Sequence, residues 1–254
     1  MVSFGKGCSM SDYIFGRNAV LEALESDRKV EKIYILKGDL KGSINKIIGK
    51  AKANGILISE IDKYKLENMS EGVVHQGVCA LVSSFDYSSV EEILQSARDK
   101  NEDLFLVILD EIEDPHNFGA IIRTCEGAGV HGIIVSKRNQ APVTSVVQKS
   151  SAGAINHMKI AKVSNIADTI MKLQKENIWI YGACGEAEKT YTDMDFKGNI
   201  AIVIGNEGKG IGQLIRKRCD FLTKLPMKGK VSSLNASNAC AIFIYEALRQ
   251  RDEN

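Results

Sequence analysis

Apolar positions along this chain recur in two rhythms that alternate almost throughout. Residues 16–26 (GRNAVLEALES) place Val20, Leu21 and Leu24 at helical spacing, and KIYIL (32–36) reads as a strand. A second helix is expected over 43–53 and an apolar strand over 77–83 (GVCALVS). From residue 104 the rhythm is stronger. LFLVILD (104–110) is a continuous apolar run, of the kind buried on both faces of a parallel sheet. The spacing then predicts helix over 117–128, strand over 132–136, helix over 143–152 and strand over 157–163. An amphipathic helix over 165–177 leads to strands over 178–184 and 201–205. A short helix over 211–219, a strand over 221–227 and a long helix over 234–250 close the chain. Strand–helix alternation with apolar strands argues an α/β fold built on a doubly wound parallel sheet.

The pattern changes character once. Residues 91–114 carry nine acidic and two basic side chains, and 84–103 is mostly polar without a clean buried stripe. A domain junction is expected there, with the helix-like EEILQSARD as part of the connection. The expected organisation is a leader (1–11), a small domain (12–84), a linker (85–103) and a larger domain (104–254). MVSFGKGCSM lacks a secretory apolar core and reads as a tag remnant or an upstream start before Met10.

Composition narrows the class. Of 254 residues, 44% are hydrophobic and 26% charged, which excludes disorder as the dominant state. No apolar run approaches ~18 residues, so no membrane span is expected. The six cysteines form no C-x-x-C pair and read as reduced thiols of a cytoplasmic protein. The four histidines form no zinc pattern, so no metal is expected. The net charge of +1 advertises no general affinity for nucleic acid. A local patch suffices for that, however, and 208–230 holds seven basic residues against Asp220 alone.

Three segments carry candidate chemistry. DEIEDPHNFGAIIRTCEGAGV (110–130) leaves the carboxyl end of a buried strand, where open α/β sheets place their ligands. Asn117 fits a helix N-cap. Arg123, among Ile121, Ile122 and Cys125, wants an anion: a phosphate, or one of Asp110, Glu111 and Glu113 in a salt bridge. In IVIGNEGKGIG (202–212), glycines at 205, 208, 210 and 212 separate a strand from a helix. The spacing is neither a Walker loop nor a dinucleotide fingerprint, whose third glycine would fall at Gln213. Glu207 would repel phosphate, and suits a cationic ligand or an arginine that needs holding. In LPMKGKVSSLNASNACAIFIYEAL (225–248), Ser232, Ser233 and Asn235 cluster before the last helix. A serine N-cap and an anion or ribose site are both open readings there.

In this order and spacing, DPHNFGAIIRT (114–124), IGNEGKGI (204–211) and LPMKGKVSSLNASNA (225–239) resemble the SPOUT-class RNA methyltransferases, specifically the TrmH-type ribose 2′-O-methyltransferases. YIFGRNAVLEAL (13–24) and VHQGVCALV (74–82) are similar to the small substrate-binding domain of the enzymes that methylate guanosine in large-subunit (23S) ribosomal RNA. The resemblance implies a parallel sheet whose C-terminal segment threads a trefoil knot, preceded by an L30e-like α/β domain. It implies S-adenosyl-L-methionine as cosubstrate without a metal, held largely by backbone at Gly205, Leu225, Met227, Ser233 and Leu234. The implied catalytic set is Arg123, Asn117, Glu207, Ser233 and Asn235. Arg123 would take the proton of a ribose 2′-hydroxyl or orient it. Because a guanidinium pKa exceeds ~12, positioning of the hydroxyl and its neighbouring phosphate is the reading favoured here. Glu207 would hold Arg123 or Asn117, and Ser233 and Asn235 the substrate's ribose or phosphate. A homodimer is also implied, with Ile242, Ile244, Tyr245 and Leu248 open to an interface or to ordinary core. Ala236 and Asn238 depart from the family's more usual valine and small or apolar residue. Transfer RNA as substrate and a non-catalytic RNA-binding protein are the alternatives; the failed glycine spacing argues against a nucleotide-dependent oxidoreductase.

Overall fold

The computed structural model describes residues 12–26, 28–38, 42–83 and 85–252. The leader expected at 1–11 lies outside them. The chain divides into two compact units: the described part of 1–86 with 142–147, and 87–141 with 148 onward.

In the first unit, β1 (Tyr13–Phe15), α1 (Arg17–Glu25), β2 (Lys29–Leu36), α2 (Ser43–Ala53), β3 (Leu57–Ile61), α3 (Lys63–Ser70) and β4 (Val78–Ser83) follow in order. The sheet order is β1-β4-β2-β3. It is mixed: β4 runs antiparallel to both neighbours, and β2 pairs with β3 in parallel. The continuous apolar run of β4 has a simple cause. Val78 and Ala80 point to one face, with Ile33, Ile35, Ile44 and Ile47. Cys79 and Leu81 point to the other, with Tyr13, Leu66 and Met69. A strand buried on both faces has no polar alternation to show.

The second unit opens with α4 (Val90–Lys100), β5 (Phe105–Leu109), α5 (Pro115–Gly127) and β6 (Gly132–Ser136). α6 (Ser145–Ser150) lies across the division of the chain. β7 (Ile160–Val163), α7 (Ile166–Lys175), β8 (Trp179–Ala183), β9 (Ile200–Ile204), α8 (Gln213–Arg218), β10 (Phe221–Thr223) and α9 (Ala236–Asp252) complete it. Of the segment 85–103, which the pattern leaves as a linker, residues 87–103 are integral to this unit. Ser89 and Glu92 form a capping box at the start of α4, and Ile93 and Ala97 are buried beside Leu106, Ile108 and Ile134. Full burial of one isoleucine contributes about 1.5–3 kcal/mol, more than a connection would supply.

All strand pairs here are parallel, in the order β10-β8-β9-β5-β6-β7. β5 and β9 are neighbours. From β5 the chain proceeds to β6 on one flank; from β9 it proceeds to β10 on the other. Their outgoing loops therefore part at a topological switch point, where a crevice forms. α9 packs on α5 and β9 on the far face of the sheet from α4, burying Phe243 and Ile244. The five described cysteines are free thiols. Among the described residues no helix is long and apolar enough to cross a membrane, and no group of three potential metal ligands occurs.

His131, at the start of β6, gives this unit a pH dependence. Its Nδ1 accepts the Phe105 N–H at 3.1 Å, and its Nε2 lies 3.0 Å from a Glu102 carboxylate oxygen. The backbone bond needs an unprotonated Nδ1, so the ring is neutral with its proton on Nε2. Burial lowers the pKa from the ordinary 6.5, while Glu102 pulls the other way. A base whose folded pKa is depressed stabilises the fold above its unfolded value, and that stabilisation is lost as pH falls through the folded value. We expect the thermal midpoint to drop between about pH 7.5 and about pH 5 through this residue. His131→Asn should lack that component; an identical pH profile in the variant would exclude His131 as its source.

Candidate functional site

The first candidate segment starts α5, but not through Asn117. Asp114 is the N-cap, its carboxylate accepting from the His116 and Asn117 N–H groups, with Pro115 at the first helical position. This corrects the sequence expectation and changes what Asn117 does. Relieved of capping, Asn117 is buried at 9% exposure and its side chain meets Glu207 and Asn235.

There a chain of amides joins all three segments. Asn235 caps α9: its Oδ1 accepts from the Ser237 N–H at 3.0 Å, the Ser237 hydroxyl at 2.6 Å and the Asn238 N–H at 3.4 Å. Neither Ser232 nor Ser233 takes that role. With Oδ1 so engaged, Asn235 must present its NH2, which donates to Asn117 Oδ1 at 2.8 Å. Asn117 in turn presents its own NH2 to Glu207 Oε1. The backbone at α9 thus fixes both amide orientations in sequence, and Glu207 ends the chain as acceptor. Of the two partners open to Glu207, it holds Asn117.

Arg123 stands apart from this network. It is exposed on α5, and among the described residues it makes no ion pair or hydrogen bond. The salt bridge to Asp110, Glu111 or Glu113 does not form. Asp110 accepts the Gly212 N–H at 2.8 Å instead. Burial raises its carboxyl pKa, and that N–H partly offsets the rise. Glu111 takes Asn139 at 2.8 Å and Lys209 at 3.8 Å.

The loop after β9 folds back on itself. Asn206 accepts from the Gly208 and Lys209 N–H groups and donates to the Glu111 carbonyl. Its own carbonyl accepts from Gly210 N–H at 2.8 Å. Gly210 sits at φ +66°, and Gly205 faces the Gly210 carbonyl so closely that no Cβ fits.

This loop forms one wall of a cavity of about 880 Å³. A second wall is the segment 225–234, which carries Leu225, Met227, Ser233 and Leu234. The third is the polar loop after β8, with Glu186, Glu188 and Thr190. All five residues expected to hold a cosubstrate, Gly205, Leu225, Met227, Ser233 and Leu234, line it, as does Glu207. Asn117, Arg123 and Asn235 lie outside the lining. Among the described residues no backbone N–H or C=O from Leu225 to Leu234 has a protein partner. A stretch with its peptide groups open, beside exposed Met227 and Leu234, can grip a flat, partly apolar ligand through backbone hydrogen bonds and apolar contact. An adenosyl group has that chemistry, so the residues present fit it. Sequence reasoning missed the third wall. Its only signal was a polar loop, CGEAEKT, after a buried strand.

Comparison with known proteins shows the family. Residues 104–245 match the SpoU rRNA Methylase family, and 13–88 match the family described as RNA 2′-O ribose methyltransferase substrate binding. The chain is 44% identical to YacO of Bacillus subtilis (strain 168), assigned to the TrmH family of tRNA/rRNA methyltransferases, over 95% of this chain and 96% of that protein. Among solved structures it resembles the SpoU methyltransferase AviRb from Streptomyces viridochromogenes in complex with AdoMet. The TM-score is 0.61 and the identity 24%, over 95% of this chain and 91% of that one. The A. aeolicus TrmH/SpoU tRNA modifying enzyme aligns with a TM-score of 0.55 and 28% identity, over 64% of this chain and 84% of its own.

Proposed function

Because the chain belongs to the SpoU rRNA methylase family, and so is an RNA 2′-O-methyltransferase that uses S-adenosylmethionine, we propose that it methylates a guanosine ribose of 23S ribosomal RNA. The observation that carries this choice is the N-terminal unit. It matches the substrate-binding family over 13–88, whereas the A. aeolicus tRNA modifying enzyme aligns with only 64% of the chain. Transfer RNA is the second reading, favoured by the tRNA/rRNA description of the Bacillus relative.

The reaction is an in-line displacement. The ribose 2′-oxygen bonds to the methyl carbon as the carbon–sulfur bond breaks, the sulfonium leaves as a neutral thioether, and the hydroxyl proton is lost. A free hydroxyl is a weak nucleophile, so alignment contributes most of the acceleration. We assign that alignment to Arg123, whose guanidinium, unpaired among the described residues, can grip the phosphate beside the reacting ribose. Proton removal is assisted by that phosphate. Asn117, Glu207 and Asn235 hold the three loops in register, and Ser233 meets the ribose. The same proposal includes a homodimer. Ile244 is buried in the unit's own core, Leu248 is half-buried, and Ile242 and Tyr245 remain exposed on α9, 37% and 52%, for a second copy to cover.

The test is methyl transfer from labelled S-adenosylmethionine to purified 23S ribosomal RNA and to tRNA, with the modified nucleotide mapped by mass spectrometry. Transfer to a single guanosine of the ribosomal RNA is expected. Transfer to tRNA alone reverses the order of the two readings, and binding of RNA without transfer to either supports the non-catalytic alternative.

A further inference from the structure

The cavity's third wall has no role so far, and its carboxylates differ in what they already hold. Glu186, Glu188 and Glu207 line the cavity. Glu207 accepts from Asn117, and Glu186 pairs with Arg216. Glu188, among the described residues, makes neither an ion pair nor a hydrogen bond.

The loop that carries it is fixed without its help. Cys184 N–H donates to the Thr223 carbonyl at 2.8 Å and Ala187 N–H to the Cys184 carbonyl at 3.0 Å. Lys224 N–H donates to the Lys189 carbonyl at 3.1 Å, and Thr190 and Asp193 close a capping box just beyond. Ala187 is buried at 5% exposure and anchors the turn. Glu188 is exposed, so its carboxylate is hydrated until a ligand displaces that water; on a preorganised loop of the cavity wall, and with no donor among the described residues, it is placed to receive donors from a ligand.

Topology indicates which donors. The glycine loop leaves β9, and the loop of Glu188 leaves β8, its parallel neighbour. In doubly wound sheets the glycine loop approaches the nucleotide by its backbone, while an acidic side chain from the sheet's carboxyl edge takes the ribose hydroxyls. Here the acidic loop comes before the glycine loop in sequence, because β8 precedes β9.

We propose that Glu188 is a cofactor-binding residue that accepts hydrogen bonds from the ribose diol of S-adenosylmethionine. The proposal rests on the family reading of the cavity as the S-adenosylmethionine site. The competing donor is the ammonium of the methionyl group, and two ligands separate them. S-adenosylhomocysteine carries both ribose and amino acid; 5′-methylthioadenosine carries the ribose alone.

Isothermal titration of wild type, Glu188→Ala and Glu188→Gln with each ligand provides the test. Glu188→Ala is expected to weaken both ligands by the same factor, about ten- to hundredfold for a charge-assisted bond. Glu188→Gln, which keeps a neutral acceptor, should weaken both equally but less. The thermal midpoint without ligand should not move, since no protein contact is lost. A loss confined to S-adenosylhomocysteine would assign Glu188 to the ammonium and overturn the proposal, as would unchanged affinity for both. Wild type that binds neither ligand would refute the cofactor reading itself.

Discussion

Arg123→Ala is expected to slow methyl transfer at least about a hundredfold while leaving S-adenosylhomocysteine affinity and thermal stability nearly unchanged. The argument runs through what Arg123 does not touch. It is exposed, and among the described residues it holds no carboxylate, so its truncation opens no core cavity and orphans no buried charge. It also stands outside the lining of the cavity. A large kinetic effect without a stability effect then has one source, contact with the RNA. Single-turnover rates at saturating RNA give the readout. Arg123→Lys should recover part of the rate, keeping the charge and losing the planar fork that grips a phosphate with two parallel bonds. Equal rates in Arg123→Ala and wild type would remove Arg123 from the mechanism.

How far the sequence could carry such an argument depended on what each residue's role rests on. β5 and β9 were legible because both are unbroken apolar runs, and burial on two faces is written in composition alone. β1, β3 and α3 were not. β1 has three residues, β3 is an edge strand of mostly half-buried positions, and α3 offers only Leu66 and Met69 as an apolar pair among charged neighbours. The cap of α5 was assigned to Asn117, whereas Asp114 takes it. Pro115 decides it, since proline belongs just inside the helix start. The three site segments were recognisable one by one, but no local pattern encodes that Asn117 meets residues 90 and 118 positions away. The polar loop at 184–190 carried no signal beyond its polarity after a buried strand, because its meaning comes from β8 lying beside β9.

Gly205→Ala should damage the site from within, and more severely than any exposed substitution. A Cβ at this position would lie 2.2 Å from the Gly210 carbonyl carbon, 2.4 Å from its oxygen and 2.4 Å from Ile211 N. All three are backbone atoms, so no rotamer change relieves the overlap; the loop itself must shift. Three attachments shift with it. Ile211 is buried in the unit's core, Gly212 N–H bonds Asp110, and Glu207 holds Asn117. Overpacking of this kind costs about 1–3 kcal/mol, and the displaced loop is one wall of the cavity. We therefore expect a lowered thermal midpoint together with loss of S-adenosylhomocysteine binding in titration calorimetry. Gly208→Ala is the control for stability. Its Cβ would meet only the Asn206 side-chain oxygen, at an ordinary 3.5 Å, and its thermal midpoint should match wild type. If Gly205→Ala instead melts with wild type and binds S-adenosylhomocysteine undiminished, the close packing of Gly205 on Gly210 is not what shapes this wall, and direct approach of the ligand to this glycine is excluded with it.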